Sequence, residues 1–406
     1  MRILPAFSVL LILAFVQCSD NKDNMAIEGI LYSTGQPVSV SIEDGKILKI
    51  YPLSSSRETT LPYIAPGLID IQINGYMGID FTNPEITTDD LRKVTQALRA
   101  KGVTTFLPTV ITSGHEHLVN CFESLSRALE DSMINASIPG FHLEGPYISP
   151  EKGFRGAHLE KYIRLPDYQE FMEYQHAANN GIIMVAIAPE IIGAIDFIEK
   201  CVKDEVVVTL AHHNGNAEEI AQAVDAGASI SNHLGNGCAN MINRHHNPLW
   251  PQLAEDRLVV SIIADGFHLT QEEIQSFYKI KGDERTILVS DAVDLAGLPP
   301  GEYVRWERTV VLTPDVVKFP AENVLAGAAS PISKCVGNMM RFTNCSLESA
   351  INMASRNPAW VLGLDDVGEI LEGKRADLIL FTLNDTELVI NKTFVSGVLV
   401  YQKYDE

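Results

Sequence analysis

Positive charge is in short supply in this chain: 31 lysines and arginines stand against 52 aspartates and glutamates, a net charge of -21 over 406 residues. Nucleic acids and anionic membrane surfaces are repelled by such a field, and an anionic small molecule needs a local cluster of positive groups. Cysteine is sparse too, with six residues. Five of them, Cys121, Cys201, Cys238, Cys335 and Cys345, form an odd, scattered set without the short spacings of zinc ribbons or disulfide frameworks, so they read as free thiols. The most apolar stretch, residues 3–16, is shorter than the roughly 20 residues a membrane-crossing helix needs. No Gly-rich turn follows the first strand-like run, which weakens a doubly wound nucleotide-binding sheet, and no low-complexity linker or solenoid-length repeat is visible.

What is present begins with a targeting signature. Arg2, the apolar run and then Cys18 before Ser19-Asp20-Asn21 read as residues 1–18 of an export signal, with Cys18 as the lipidated first residue of a bacterial envelope lipoprotein. Gln17 departs from the small residue usual before such a cysteine, so a plain secretory signal stays open. Beyond it, 46% hydrophobic and 20% charged residues give ample material for a packed core.

Residues 39–42 and 47–50 flank the turn Glu43-Asp44-Gly45-Lys46 and predict a hairpin. Similar strand-like pieces fill the last forty residues, so segments 25–64 and 366–406 are expected to pair into one small β-sandwich domain. Between them, over 65–365, eight apolar runs of strand length alternate with stretches of helical period: 67–73, 104–109, 138–143, 182–188, 206–211, 229–232, 258–264 and 286–290. Eight parallel strands with intervening helices predict an α/β fold, a (β/α)8 TIM-like barrel. Helices are expected at 89–101, 116–129, 166–180, 217–226, 270–281, 332–342 and 347–361, with an inserted β loop over 295–325.

The polar residues fall at the C-terminal ends of these runs. The third closes on His142-Leu143-Glu144-Gly145-Pro146, the fifth on Ala211-His212-His213, the sixth on Asn232-His233, the seventh on Ala264-Asp265-Gly266 and the eighth on Ser290-Asp291. In a barrel those ends converge around one pocket. A carboxylate and two imidazoles can hold one divalent metal with a position left for water, and Asp291 stands where a base and acid for that water is needed. Each residue alone has a bland reading as a turn or a satisfied core group. Only their coincidence at matching strand ends argues for a site.

These motifs, with Ala65-Pro66-Gly67-Leu68-Ile69-Asp70, Arg155-Gly156-Ala157-His158, Asp265-Gly266-Phe267-His268, Leu325-Ala326-Gly327 and Gly373-Lys374-Arg375-Ala376-Asp377-Leu378, resemble the N-acetylglucosamine-6-phosphate deacetylase family of the amidohydrolase superfamily over about 25–401. The resemblance implies that Glu144, His212 and His233 are metal ligands of one ion, zinc by preference, and that Asp291 is the catalytic acid and base. It also implies substrate contacts from His158, Asn236, Gly237, Arg244 and His268, the arginine reaching a sugar phosphate from a neighbouring subunit of a homodimer. The small-molecule partner is then an N-acetylated amino-sugar, phosphorylated or not. Gln72 and Asn74 stand where many amidohydrolases carry a His-x-His pair for a second metal, which favours a single ion.

Several readings stay open at this level. His213 is the alternative to His212 as ligand, and His245 and His246 either extend a cationic patch or lie idle on the surface. The chain departs from the family over 237–250, and an exported enzyme would meet few sugar phosphates, so an unphosphorylated N-acetyl sugar, an N-acyl amino acid or a cyclic amide remains as substrate. A carbohydrate-binding lipoprotein on a decayed barrel is the reading from another class.

Overall fold

The computed structural model describes residues 25–54, 61–305, 308–314, 316–320 and 324–404; the segment read as an export signal, with Cys18, lies outside the described residues. The chain opens with strands Met25–Leu31, Pro37–Glu43 and Lys46–Pro52, the last two joined by Asp44 and Gly45, both at positive φ (51° and 76°). Two left-handed residues in a row make the two-residue turn whose twist matches that of the flanking strands, and Asp-Gly is the pair that adopts it most readily. These strands, Tyr63–Pro66 and the C-terminal strands Leu378–Asn384, Glu387–Val395 and Val398–Gln402 form one seven-stranded sheet, the two ends of the chain meeting where Ala65 pairs with Ile379. The sheet bends back on itself: Ile47 N donates to Lys374 O (2.9 Å) and Ala376 N to Gly45 O (2.8 Å). Val40, Ile42 and Ile47 are thereby packed with Leu378, Leu380 and Phe394 in a small core of their own, so the two termini build the expected β domain as one curled sheet.

The barrel follows. Its eight strands are Leu68–Ile73, Val103–Ile111, Phe141–Glu144, Ile182–Ile187, Val207–Leu210, Ile230–Ser231, Val259–Ile262 and Thr286–Leu288, paired in chain order and all parallel. The ring closes just past the eighth strand, where Ala292 bridges to Ile73, Asp291 N donates to Gln72 O (2.9 Å) and Asn74 N to Ala292 O (2.8 Å). Leu107, Met184, Ile230, Val259, Ile287 and Val289 fill the interior. Because side chains alternate along a strand, the inward row that carries Ile230 also carries Asn232, and the row of Ile287 and Val289 carries Asp291. Apolar packing below thus aims polar groups above. Between the first two strands the register shifts between Asp70 and Ile73, a bulge of the kind that re-aims a side chain, and Gln72 sits in it.

The helices start where caps dictate. Thr88–Arg99, Ala217–Asp225 and Gln271–Lys281 each open with a reciprocal capping box, Thr87 with Asp90, Asn216 with Glu219 and Thr270 with Glu273. Helix Ala194–Lys203 escaped the sequence reading; its cap is Gly193 at φ 89°, with no side chain to announce it. The helix expected over 347–361 is two, Leu347–Asn352 and Arg356–Val361, broken at Ser355 (φ -144°, ψ -75°). Pro358 has no N–H to donate to the turn before it, so the helix cannot run through. The expected β insertion is a four-stranded antiparallel sheet over 301–328.

Candidate active site

At the C-terminal mouth of the barrel Glu144, His212 and His233 are buried together, one ligand atom of each lying within 4.8 Å of the others. Glu144 Oε1 stands 2.8 Å from His233 Nε2 and 3.3 Å from His212 Nε2. His212 Nδ1 lies 2.9 Å from the Phe154 carbonyl, which can only accept, so that nitrogen carries the hydrogen and Nε2 of the neutral ring keeps its lone pair. Lone pairs from one carboxylate oxygen and two imidazole nitrogens meeting in a buried spot repel one another unless a proton or cation sits among them. The residues fit a divalent metal, and an O,N,N donor set suits zinc. Burial pushes the Glu144 carboxyl up, yet the neighbouring imidazoles of His212 and His233 outweigh it and hold it well below the usual range. Among the described residues this is the only group of three or more such side chains near enough to share an ion.

The backbone at this site is strained. His212, His233 and Asp291 all sit at positive φ (49°, 28° and 47°), a region that L side chains visit uncommonly, at a cost of order 1–3 kcal/mol each. The strands end there and turn the side chains over the mouth. Two glycines make room for His212: a Cβ on Gly237 would come within 2.9 Å of its backbone nitrogen, and one on Gly156 within 2.9 Å of its Cε1.

Asp291 is buried beside this cluster. Its Oδ1 accepts from Asn74 Nδ2 at 2.6 Å and from Gln72 Nε2 at 3.4 Å. Burial and the nearby Glu144 charge raise its pKa. A carboxyl poised above its ordinary range, with one oxygen tied by amides, is suited to taking up and returning a proton at neutral pH.

The other expected contacts divide. His158 packs edge-on against His212 (ring centroids 4.4 Å apart) and its Nδ1 meets Thr112 Oγ1 at 2.7 Å. Burial, then repulsion from His212, push its pKa down to about 3, so it is neutral. His268 is held by Asp265, whose Oδ2 lies 2.7 Å from its Nδ1 while Oδ1 accepts from the backbone N–H of Phe267 and His268. Asn236 Nδ2 is buried and has no hydrogen-bond partner among the described residues, an amide donor available to a ligand. Arg244 lies exposed in the loop before helix Leu249–Ala254, its carbonyl accepting from Trp250 Nε1 at 3.0 Å. His245 and His246 are exposed in the same loop.

His213 turns away from the cluster. Its Nδ1 accepts from Gly215 N at 3.2 Å, and burial pushes its pKa from 6.5 down to about 4. Below 6.5 the unfolded chain binds a proton that the folded imidazole refuses, so stability is full above 6.5 and is lost as pH falls toward 4, at about 1.4 kcal/mol per pH unit. Urea unfolding at pH 7 and pH 5 is therefore expected to show a smaller difference, by about 2 kcal/mol, in His213→Gln than in the parent. An unchanged difference refutes this assignment.

Thr112, which no motif singled out, and Asp265 and Asn232, which the strand-end motifs contained without a role, support the expected site residues: Thr112 and Asp265 orient imidazoles, and Asn232 joins Gln72 to Glu144. Asn232 had one signal, its place on the inward row directly before His233.

A parallel eight-stranded barrel with a carboxylate and two histidines clustered at its mouth beside an aspartate defines a class, and the chain belongs to the amidohydrolase family, whose model matches residues 63–400. Within that family it falls among the N-acetylglucosamine-6-phosphate deacetylases. It is 30% identical to the enzyme of that name from Bacillus subtilis (strain 168) over 367 residues, 86% of this chain and 90% of the relative. The structure of N-acetylglucosamine-6-phosphate deacetylase from Thermotoga maritima superposes with a TM-score of 0.82 at 30% identity, covering 93% of this chain and 100% of the other. A mutant of the Mycobacterium smegmatis enzyme, solved in complex with N-acetyl-D-glucosamine-6-phosphate, gives 0.83 at 25% identity over 93% and 99%.

Proposed function

We propose that the protein hydrolyses the acetamide of N-acetylglucosamine 6-phosphate, water and amide giving acetate and a free amine. The observation that carries this reading is the placing of Asp291 beside the Glu144, His212 and His233 cluster at the barrel mouth. Those three residues would hold the ion, which we take to be Zn2+; when bound it supplies the Lewis acidity that makes water nucleophilic at neutral pH and polarises the amide carbonyl. Everything else falls to the chain. Asp291, with Oδ1 tied to Asn74, uses Oδ2 to accept the proton of the attacking water and then delivers it to the amine nitrogen as the C–N bond breaks. His268, fixed by Asp265, and neutral His158, fixed by Thr112, orient the acetamide end of the sugar. The unpartnered Asn236 amide and the close-packed Gly237 backbone line the approach.

Arg244 is exposed and its guanidinium is a positive group of the kind an anionic substrate needs in so acidic a chain, and we assign it to the phosphate, across the interface of a homodimer. Acetate release should be far faster from the 6-phosphorylated than from the unphosphorylated N-acetyl sugar. Arg244→Ala should raise KM for the phosphorylated sugar about tenfold or more, a loss of about 1.4 kcal/mol or more, and leave turnover of the unphosphorylated one alone. Hydrolysis of N-acyl amino acids with no acetate from either sugar overturns the substrate; equal KM in parent and variant overturns the role of Arg244.

A further inference from the structure

The two carboxylates of the site, Glu144 and Asp291, are joined by a line of side-chain amides that the proposed chemistry does not itself require. Asn232, only 4% exposed, points Nδ2 between Glu144 Oε1 (3.4 Å) and Gln72 Oε1 (3.3 Å). Gln72, fully buried in its bulge, turns its other end so that Nε2 donates to Asp291 Oδ1 (3.4 Å), the oxygen that Asn74 also holds (2.6 Å). Behind them Ser261 Oγ donates to Asn232 Oδ1 (3.4 Å) and accepts from His233 N (2.7 Å). The line has a direction. Along this line each carboxylate receives an amide N–H, and Gln72 can present its donor to Asp291 only because Asn232 presents a donor to the carbonyl end of Gln72. A Gln72 turned end for end would oppose its oxygen to a carboxylate.

We infer that Asn232 is a positioning residue for the hydrolysis: acting through Gln72, it fixes the rotation of the Asp291 carboxylate so that Oδ2 faces the reacting water, and it places N–H dipoles between two negative charges that would otherwise push each other apart. Without Asn232 the Gln72 amide is free to turn over and Asp291 is held by Asn74 alone. The metal cluster keeps its three ligands, so at saturating Zn2+ the ion stays bound while proton transfer suffers. Small misplacements of a group that transfers protons cost rate steeply.

The inference rests on the deacetylase reading, and the test separates the two. Parent, Asn232→Ala, Gln72→Ala and the double variant are each loaded with Zn2+, measured for metal per chain and thermal melting, and assayed for acetate release from N-acetylglucosamine 6-phosphate. Expected for Asn232→Ala is a kcat lower by about 10- to 100-fold, KM within about threefold, and one metal per chain as in the parent. The double variant should be no slower than the slower single variant, because both substitutions break one line. An inactive parent refutes the deacetylase reading. With an active parent, an unchanged kcat in Asn232→Ala, losses that multiply in the double variant, or a loss of metal that accounts for the loss of rate each overturn the role given to Asn232.

Discussion

Asp291→Asn should lower kcat for acetate release by about 10²- to 10⁴-fold, the span that a positioned proton-transfer group contributes, while leaving the metal content at one ion per chain. The reasoning is geometric and electrostatic together. The substitution keeps shape and burial, and the amide oxygen can still accept from Asn74 Nδ2 where Oδ1 does now, at 2.6 Å. What disappears is the basic oxygen. An amide in place of Oδ2 can neither take the water proton nor return it to the amine, so both halves of the reaction suffer. The bound fold should barely notice, because the raised pKa of Asp291 says that burial and the Glu144 charge already work against its ionised form. Thermal melting should therefore be unchanged or slightly higher. Acetate assays with metal analysis of the same samples decide it: turnover within threefold of the parent at equal metal content removes Asp291 from the chemistry.

Glu144→Ala should have the larger structural consequence. The carboxylate is the one negative group among the three converging side chains, and both imidazoles face its Oε1. Loss of a supporting residue around a metal ligand commonly costs 10- to 100-fold in metal affinity; removing a ligand outright should cost more, so the variant is expected to lose its ion to a mild chelator that leaves the parent loaded. Activity should fall below detection with the metal. Apo and loaded parent should also differ in melting temperature, because an ion that binds only the folded state stabilises it by mass action, and that difference should vanish in Glu144→Ala. Equal melting shifts in parent and variant contradict Glu144 as a ligand.

Much of this was legible before any coordinates because a barrel imposes a strict grammar on sequence. A strand buried on both faces must be apolar along its length, so His142 and Glu144 at the end of one, or Asp291 at the end of another, stand out against Val, Ile and Leu. All eight runs correspond to strands, and the sixth is the shortest, Ile230–Ser231, because His233 at φ 28° already turns the chain away. Choosing between His212 and His213 needed the third dimension, since adjacent residues in a strand face opposite ways only while the strand lasts, and here it has ended. The role of Asn232 was out of reach for another reason. Its partner Gln72 is 160 positions away, and an asparagine at a strand end has no chemistry to advertise until that partner is seen. The break at Ser355 was predictable from Pro358, whereas the helix after Gly193 carried no capping side chain to mark its start.

The sheet that combines both ends of the chain bears on the order of folding during synthesis. Strand Tyr63–Pro66 pairs on one side with Met25–Leu31 but on the other with Leu378–Asn384, so the N-terminal strands emerge from the ribosome with an open edge that stays unpaired until more than three hundred further residues have followed. Pairing across such a separation is slow and leaves edges exposed to other chains meanwhile. The barrel, whose strands pair in the order they are made, can assemble first and serve as the template on which the two termini are finally brought together.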